Sequence, residues 1–240
     1  MNRLLAAATM MGMLASTACA APAPKEKAPE PDGPITPEML RKSSNNLKQF
    51  ALAFHNFSDA NKELPANQMS KDGKPLLSWR VQILPYIEQD ELYKQFKLDE
   101  PWDSPNNKKL IDKIPAIYVP LRGKAEKGQT FYQVFGGKHG LFPPGFKYSL
   151  ATIPDGTSNT FMIAEAGKPV IWTKPDDMVF DGKTVPELGG MFDGKFHAAM
   201  GDGSVMRFRK NADQDTLKML IDPADGAVLP RDLGLDKDEK

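Results

Sequence analysis

Three features of this 240-residue sequence predict an α+β domain: one N-terminal helix on an antiparallel sheet, with a C-terminal hairpin and a short closing helix. The first is an apolar face. After "TPEML", residues Leu40, Leu47, Phe50, Ala51, Phe54 and Phe57 recur at three- and four-residue spacings. The second is "KFHAAMGDGSVMRF", two alternating runs either side of Asp202-Gly203, a pair favoured in tight hairpins. The third is 21 prolines and 19 glycines, too many for a helical bundle and suited to a sheet joined by loops.

The first helix begins at Pro37, with Thr36 as its N-cap and Glu38 complementing the helix dipole. Its pattern ends near Asn61, and Pro65 forbids continuation. In "LSWRVQILPYIEQDELYKQF" Ser78 caps a short helix broken by Pro85, and Leu92, Tyr93 and Phe96 mark another turn or two. A strand over Trp79 to Leu84 competes with that reading. "NKKLIDKI" reads as a further short helix. Short strands are expected at Ala116–Val119, Lys147–Ala151, Asn159–Ala164 and Val170–Trp172, with Glu126 to Gly145 a long glycine-rich loop. In the hairpin Phe196, Ala198 and Met200 alternate with His197 and Ala199. Both Asp202 and Gly203 are expected at positive φ. "DQDTLKMLI" forms the last helix, and the polar tail from Ala227 is expected to fray.

The first residues read as an export signal. Arg3 supplies the positive start, and Leu4 to Ala15 form an apolar run of about a dozen residues. A spanning helix needs about 20. Two cleavage readings follow. Ala18-Cys19-Ala20 is a small-residue site that would release a soluble protein. Ser16 to Cys19 is a rough lipobox in which Cys19 becomes the lipidated first residue. Ser16 counts against lipidation; the position of the lone cysteine, where the signal ends, favours it. The domain reading is therefore a signal peptide over 1–20, a Pro-rich linker over 21–35, one domain over 36–226 and a tail over 227–240. The expected location is outside the cytoplasm, periplasmic or at the cell surface, with membrane contact only through the lipid anchor. One cysteine allows no internal disulfide.

Charge narrows the function. Basic and acidic residues number 31 each and are interleaved, which argues against a nucleic-acid partner. A hydrolytic triad of Ser204, His197 and Asp202 lacks a nucleophile elbow, and a regular hairpin gives these residues no general-base geometry. Asp155, Asp176, Asp177, Asp193 and Asp202 are scattered turn residues without calcium-loop spacing. His55, His139 and His197 show no zinc spacing, so neither metal nor cofactor is expected. Trp79, Trp102 and Trp172 are candidate ligand-binding residues for a stacking platform, against the alternative that they cover a helix–sheet core. "IPDGTSNT" reads first as a turn feeding a strand.

Several long stretches together carry a resemblance. "NNLKQFALAFHNFSDANKELP", "LSWRVQILPYIEQDELYKQFKLDEPWDSPNN", "TIPDGTSNTFMIAEA", "WTKPDDMVFD" and "FHAAMGDGSVMRF" look like the bacterial domain of unknown function 1559, from about Asn45 to Ile221. The resemblance implies a pilin-like domain, with the helix from Pro37 standing for the soluble half of a pilin helix. It implies no catalytic residues. The family is also filed among extracellular solute-binding proteins. Two departures stand out: a signal peptide and Pro-rich tether replace the prepilin motif and its apolar helix, and Phe192 stands where many members have a His ahead of the Asp-Gly pair. The expected function is a non-enzymatic, lipid-anchored envelope protein that contacts envelope or secretion-apparatus proteins. A solute- or glycan-binding module is the alternative.

Overall fold

The computed structural model describes residues 32–236; the expected export signal, Cys19 and most of the expected linker lie outside the described residues. Helix α1 spans Pro37–Asn61, and the Thr36 hydroxyl accepts from the Met39 amide at 3.2 Å. Its exit is set by Lys62, in the left-handed region at φ 64°, whose amide donates to the Ser58 carbonyl at 2.7 Å. The buried stripe is Ser43, Asn46, Leu47, Phe50, Ala51, Ala53, Phe54 and Ser58. That stripe extends the apolar pattern of the sequence with four small or polar residues, and Ser43 and Asn46 prove central below.

The next segment is helical. Ser78 caps α2 (Trp79–Gln82), its hydroxyl accepting from the Arg80 amide, and Pro85 opens a 3-10 turn over Leu84–Ile87. Helix α3 is Asp90–Tyr93, and Asn107–Lys113 forms a longer 3-10 helix. Ala116–Val119 is turn and Lys147–Ala151 is irregular chain running into a 3-10 helix over Leu150–Thr152; neither is a strand. Both are short apolar runs with no neighbouring ladder to complete their backbone hydrogen bonds.

The expected loop after Glu126 instead holds β1 (Gln129–Gln133) and β2 (Phe135–Gly136). Strand β3 runs unbroken over Phe161–Ile171, joining the two short strands expected at Asn159–Ala164 and Val170–Trp172. Gly167 and Pro169 fit because the ladder to β1 slips there: Thr130 faces Val170, but Tyr132 faces Glu165. The extra β3 residues bulge, and Gln133 holds them by donating from Nε2 to the Lys168 carbonyl at 2.7 Å. Strand β4 (Met178–Val179) pairs in parallel with β2 as a separate two-stranded ribbon.

Strands β5 (Phe196–Met200) and β6 (Val205–Phe208) form the expected hairpin. Its tip differs from expectation. Gly203 is at φ 88° and Asp202 is not in the left-handed region, so the connection is the longer type that closes on one left-handed glycine. Gly201 is needed for close approach: a Cβ there would meet the Thr157 carbonyl at 2.9 Å. Helix α4 (Gln214–Ile221) is capped by Asp213, whose carboxylate accepts from the Thr216 amide at 2.8 Å.

The main sheet is antiparallel in the order β1-β3-β5-β6. Helix α1 covers one face across β3, β5 and β6. On the other face Phe161, Phe196, Ala198, Met200 and Phe208 share a second apolar cluster with Leu217, Leu220 and Ile221 of α4. Cover on both sides is why all five β5 residues are buried. The tail does not fray over its described part. Leu235 bridges Phe208, the Asp236 amide donates to the Arg207 carbonyl at 2.8 Å, and Leu233 and Leu235 pack on the second cluster.

Candidate functional site

The α1-facing side of the sheet carries a row of polar side chains where an apolar row would be expected. Register sets it. Tyr132 on β1 faces Glu165 on β3, Ala164 faces Ala198 so that Glu165 adjoins His197 on β5, and His197 faces Arg207 on β6. Tyr132 and Glu165 are fully buried and His197 is 2% exposed. Four strands thus contribute one polar residue each to a single line beneath α1.

Glu165 is the hub. Its carboxylate accepts from the His197 amide at 2.8 Å, lies 3.1 Å from His197 Nδ1, and accepts a short hydrogen bond from the Ser43 hydroxyl. Ser43 Oγ is also 2.8 Å from the Tyr132 hydroxyl, and Asn46 Nδ2 donates to that hydroxyl at 3.3 Å and to the Ile117 carbonyl at 3.1 Å. Burial, followed by the neighbouring Glu165 charge, pushes the Tyr132 phenol well above its ordinary value. The network ties the first half of α1 to the sheet. His197 Nε2 is buried with no hydrogen-bond partner among the described residues, and the ring packs edge-on against Phe192.

A second buried set holds the α2 region. Arg80, with no exposed surface, donates to the Tyr132 carbonyl from Nε at 3.0 Å and Nη2 at 2.8 Å, to the Ser78 hydroxyl at 2.7 Å and to Asp177 at 2.6 Å. Asp177 also accepts from Trp79 Nε1, the Val134 amide and Asn67 Nδ2. No buried side-chain nitrogen or oxygen of Arg80 or Asp177 lacks a hydrogen-bond partner.

The residues singled out from sequence are dispersed. Trp79 and Trp172 have no exposed surface: Trp79 packs against Phe54, and Trp172 stacks on Tyr118 and donates to the Ile111 carbonyl. Trp102 is half-buried beneath the Lys174 ammonium at 5.9 Å. The three do not form one platform. Ser204 donates to Asp202 within the hairpin tip, while His197 turns to Glu165. Asp155 caps the amides of Asp225 and Gly226, and Asp193 pairs with Arg122. His55 donates to the Gly201 carbonyl at 2.8 Å, bolting the hairpin tip to α1, and His139 pairs with Asp222. Among the described residues no group of three or more His, Cys, Asp or Glu side chains is arranged to hold a metal.

Among the described residues, clefts open to solvent at both ends of α1. One, of about 1070 Å³, lies past the C-terminal end of α1 and is lined by Met69, Phe142, Phe146 and Val179. The other, of about 910 Å³, runs between the first turns of α1 and the β5–β6 edge. Its floor includes Phe192 and Arg207, so it adjoins the end of the buried polar row.

The chain matches the family described as a protein of unknown function, DUF1559, over residues 41–190. It belongs to that family. No curated protein and no solved structure matches it. The DUF1559 match runs from within α1 to Gly190 and stops short of the hairpin and α4, a narrower span than the resemblance to Ile221 read from sequence. Glu165 and Tyr132 fall inside the match; His197 and Arg207 fall outside it. Sequence reasoning missed Glu165, Tyr132 and Ser43. A signal for Glu165 was present: one acid in the apolar run "FMIAEA". Among the described residues no helix is long and apolar enough to cross a membrane.

Proposed function

We propose that this DUF1559 member is a non-enzymatic protein of the cell envelope, exported and anchored by lipid at Cys19, that works through contacts with other envelope or secretion-apparatus proteins. One observation carries the non-enzymatic part. The polar groups gathered in the two buried networks, Glu165, His197 and Arg80 among them, are sealed in the interior at 0%, 2% and 0% exposure and hold the fold together. Two clefts open to solvent, by contrast, are lined by apolar, amide and charged side chains of both signs, a surface suited to binding a partner. The anchoring part rests on the sequence alone: an apolar signal, one cysteine at its end, and a Pro-rich tether that would hold the domain away from a membrane.

Two experiments test the reading. Cells producing the C-terminally tagged chain are fed labelled palmitate: label on the wild type and none on Cys19→Ala supports the anchor, and an unlabelled wild type removes it. Mild cross-linking in whole cells, followed by tag purification, is expected to recover the same discrete envelope protein in repeated preparations. Recovery of the chain alone would refute the contact reading.

A further inference from the structure

The cleft between α1 and the β5–β6 edge has a composition unlike the rest of the chain. Among the described residues, five cationic side chains, Arg41, Lys48, Lys195, Arg207 and Lys210, line it with two carboxylates, Asp193 and Asp236. The whole sequence balances its charges. Among the described residues the groove therefore carries a local excess of three positive charges. Both carboxylates are already engaged: Asp236 with Lys195 at 2.9 Å and Arg207 at 3.3 Å, and Asp193 with Arg122 at 2.8 Å. Among the described residues Arg41, Lys48 and Lys210 have no ion-pair partner.

The cations stand on two facing walls. Arg41, Ser44, Asn45 and Lys48 share one face of α1, since they recur at three- and four-residue spacings. Across the cleft, Lys210 is set by Gly194. A Cβ at Gly194 would lie 2.7 Å from Lys210 Cγ, so the glycine leaves room for that side chain beside the groove. Between the walls, Ile35 and Leu40 provide apolar contact.

We infer that this groove docks an extended, acidic peptide segment of a partner protein, an inference that rests on the protein-contact reading above. Charge complementarity selects the sign. Shape selects a peptide over a membrane, because a flat anionic surface cannot enter between two walls. Length agrees: Arg41 and Lys48 are two turns apart, about 10 Å, a span that an extended chain covers in about three residues. Acidic side chains meet the two walls, apolar ones meet Ile35 and Leu40, and Ser44 and Asn45 offer hydrogen bonds to the peptide backbone.

The test uses a fluorescein-labelled peptide alternating glutamate and leucine, about nine residues long to overfill the groove, read by anisotropy against the full mature chain. The peptide is expected to bind with an affinity that falls as salt rises, and its glutamine analogue is expected not to bind. Arg41→Glu with Lys48→Glu, both exposed on α1, should weaken binding at least about tenfold. Lys210→Glu, from the opposite wall, should do the same, while Lys108→Glu with Lys109→Glu should leave binding unchanged. Unchanged urea midpoints confirm that the variants fold. Absence of peptide binding, equal binding of the glutamine analogue, indifference to the groove reversals, or binding of phosphatidylglycerol vesicles in place of the peptide would each overturn the inference. Whole-cell cross-linking separates the two claims. If Arg41→Glu with Lys48→Glu still recovers the wild-type partner in full, the groove fails and the contact reading stands; if the wild type recovers none, the contact reading itself fails.

Discussion

Removing the Glu165 carboxylate should break the polar tie between α1 and the sheet and loosen β3 from β5. Glu165→Ala strips an acceptor from the Ser43 hydroxyl, the His197 amide and His197 Nδ1, all of them buried. Hydrogen bonds to a charged group contribute about 1.5–3 kcal/mol each, and removing one partner of a buried ionic set costs about 3–5 kcal/mol, because the remaining groups lose both protein and water. A cost of about 4 kcal/mol follows, a large part of the roughly 5–15 kcal/mol that stabilises a domain. Ser43→Ala alone should cost about 1–2 kcal/mol, since Ser43 also bonds Tyr132. In the Glu165→Ala background it should cost less, giving a coupling of at least about 1 kcal/mol. Urea unfolding of the four proteins at low temperature reads all three values. If Glu165→Ala cost under about 1 kcal/mol, or the two changes were additive, the polar row would not be what holds α1.

Three other predictions follow from the same interior. Arg80→Met should cost about 3–5 kcal/mol by removing the cation paired with buried Asp177 and two donors from the Tyr132 carbonyl, and Arg80→Lys should not rescue it, because one ammonium cannot reproduce the fork; urea midpoints check both. The phenols of Tyr118 and Tyr132 are held above their ordinary value chiefly by burial, so folding favours their protonated forms. That contribution is complete below about pH 10, where the unfolded phenols are still neutral, and it declines as pH rises past it; two of the five tyrosines should then ionise only with unfolding, as read by tyrosinate absorbance. Acrylamide should quench Trp102 and spare Trp79 and Trp172, so Trp102→Phe should remove nearly all quenching; strong quenching left in that variant would reopen the aromatic-platform reading.

What the sequence revealed follows from which interactions are local. Helix α1, α4 and the β5–β6 hairpin were legible because caps, periodicity and turn glycines act within a few residues. Strand β1 was hidden by the glycines that follow it: "QTFYQ" is buried at four of its five positions and shows no alternation. Gly167 and Pro169 made β3 look like two strands, since a bulge is legal only if a partner slips register. The polar row was illegible for the same reason. Tyr132, Glu165, His197 and Arg207 lie on four strands, and sequence spacing linked His197 with Asp202 and Ser204, where the fold links it with Glu165. The groove required α1 to lie beside β6, which Arg41 and Lys48 alone do not indicate.

The central claim, that this domain works by contact through one face, is tested most directly by a photo-cross-linking side chain placed in living cells. It would be introduced in turn at Ser44 in the groove and at Lys108 away from it. The account predicts a discrete adduct with one envelope protein from position 44, lost when Arg41→Glu and Lys48→Glu are added, and none from position 108. Equal adducts from both positions, or none from position 44, would contradict it.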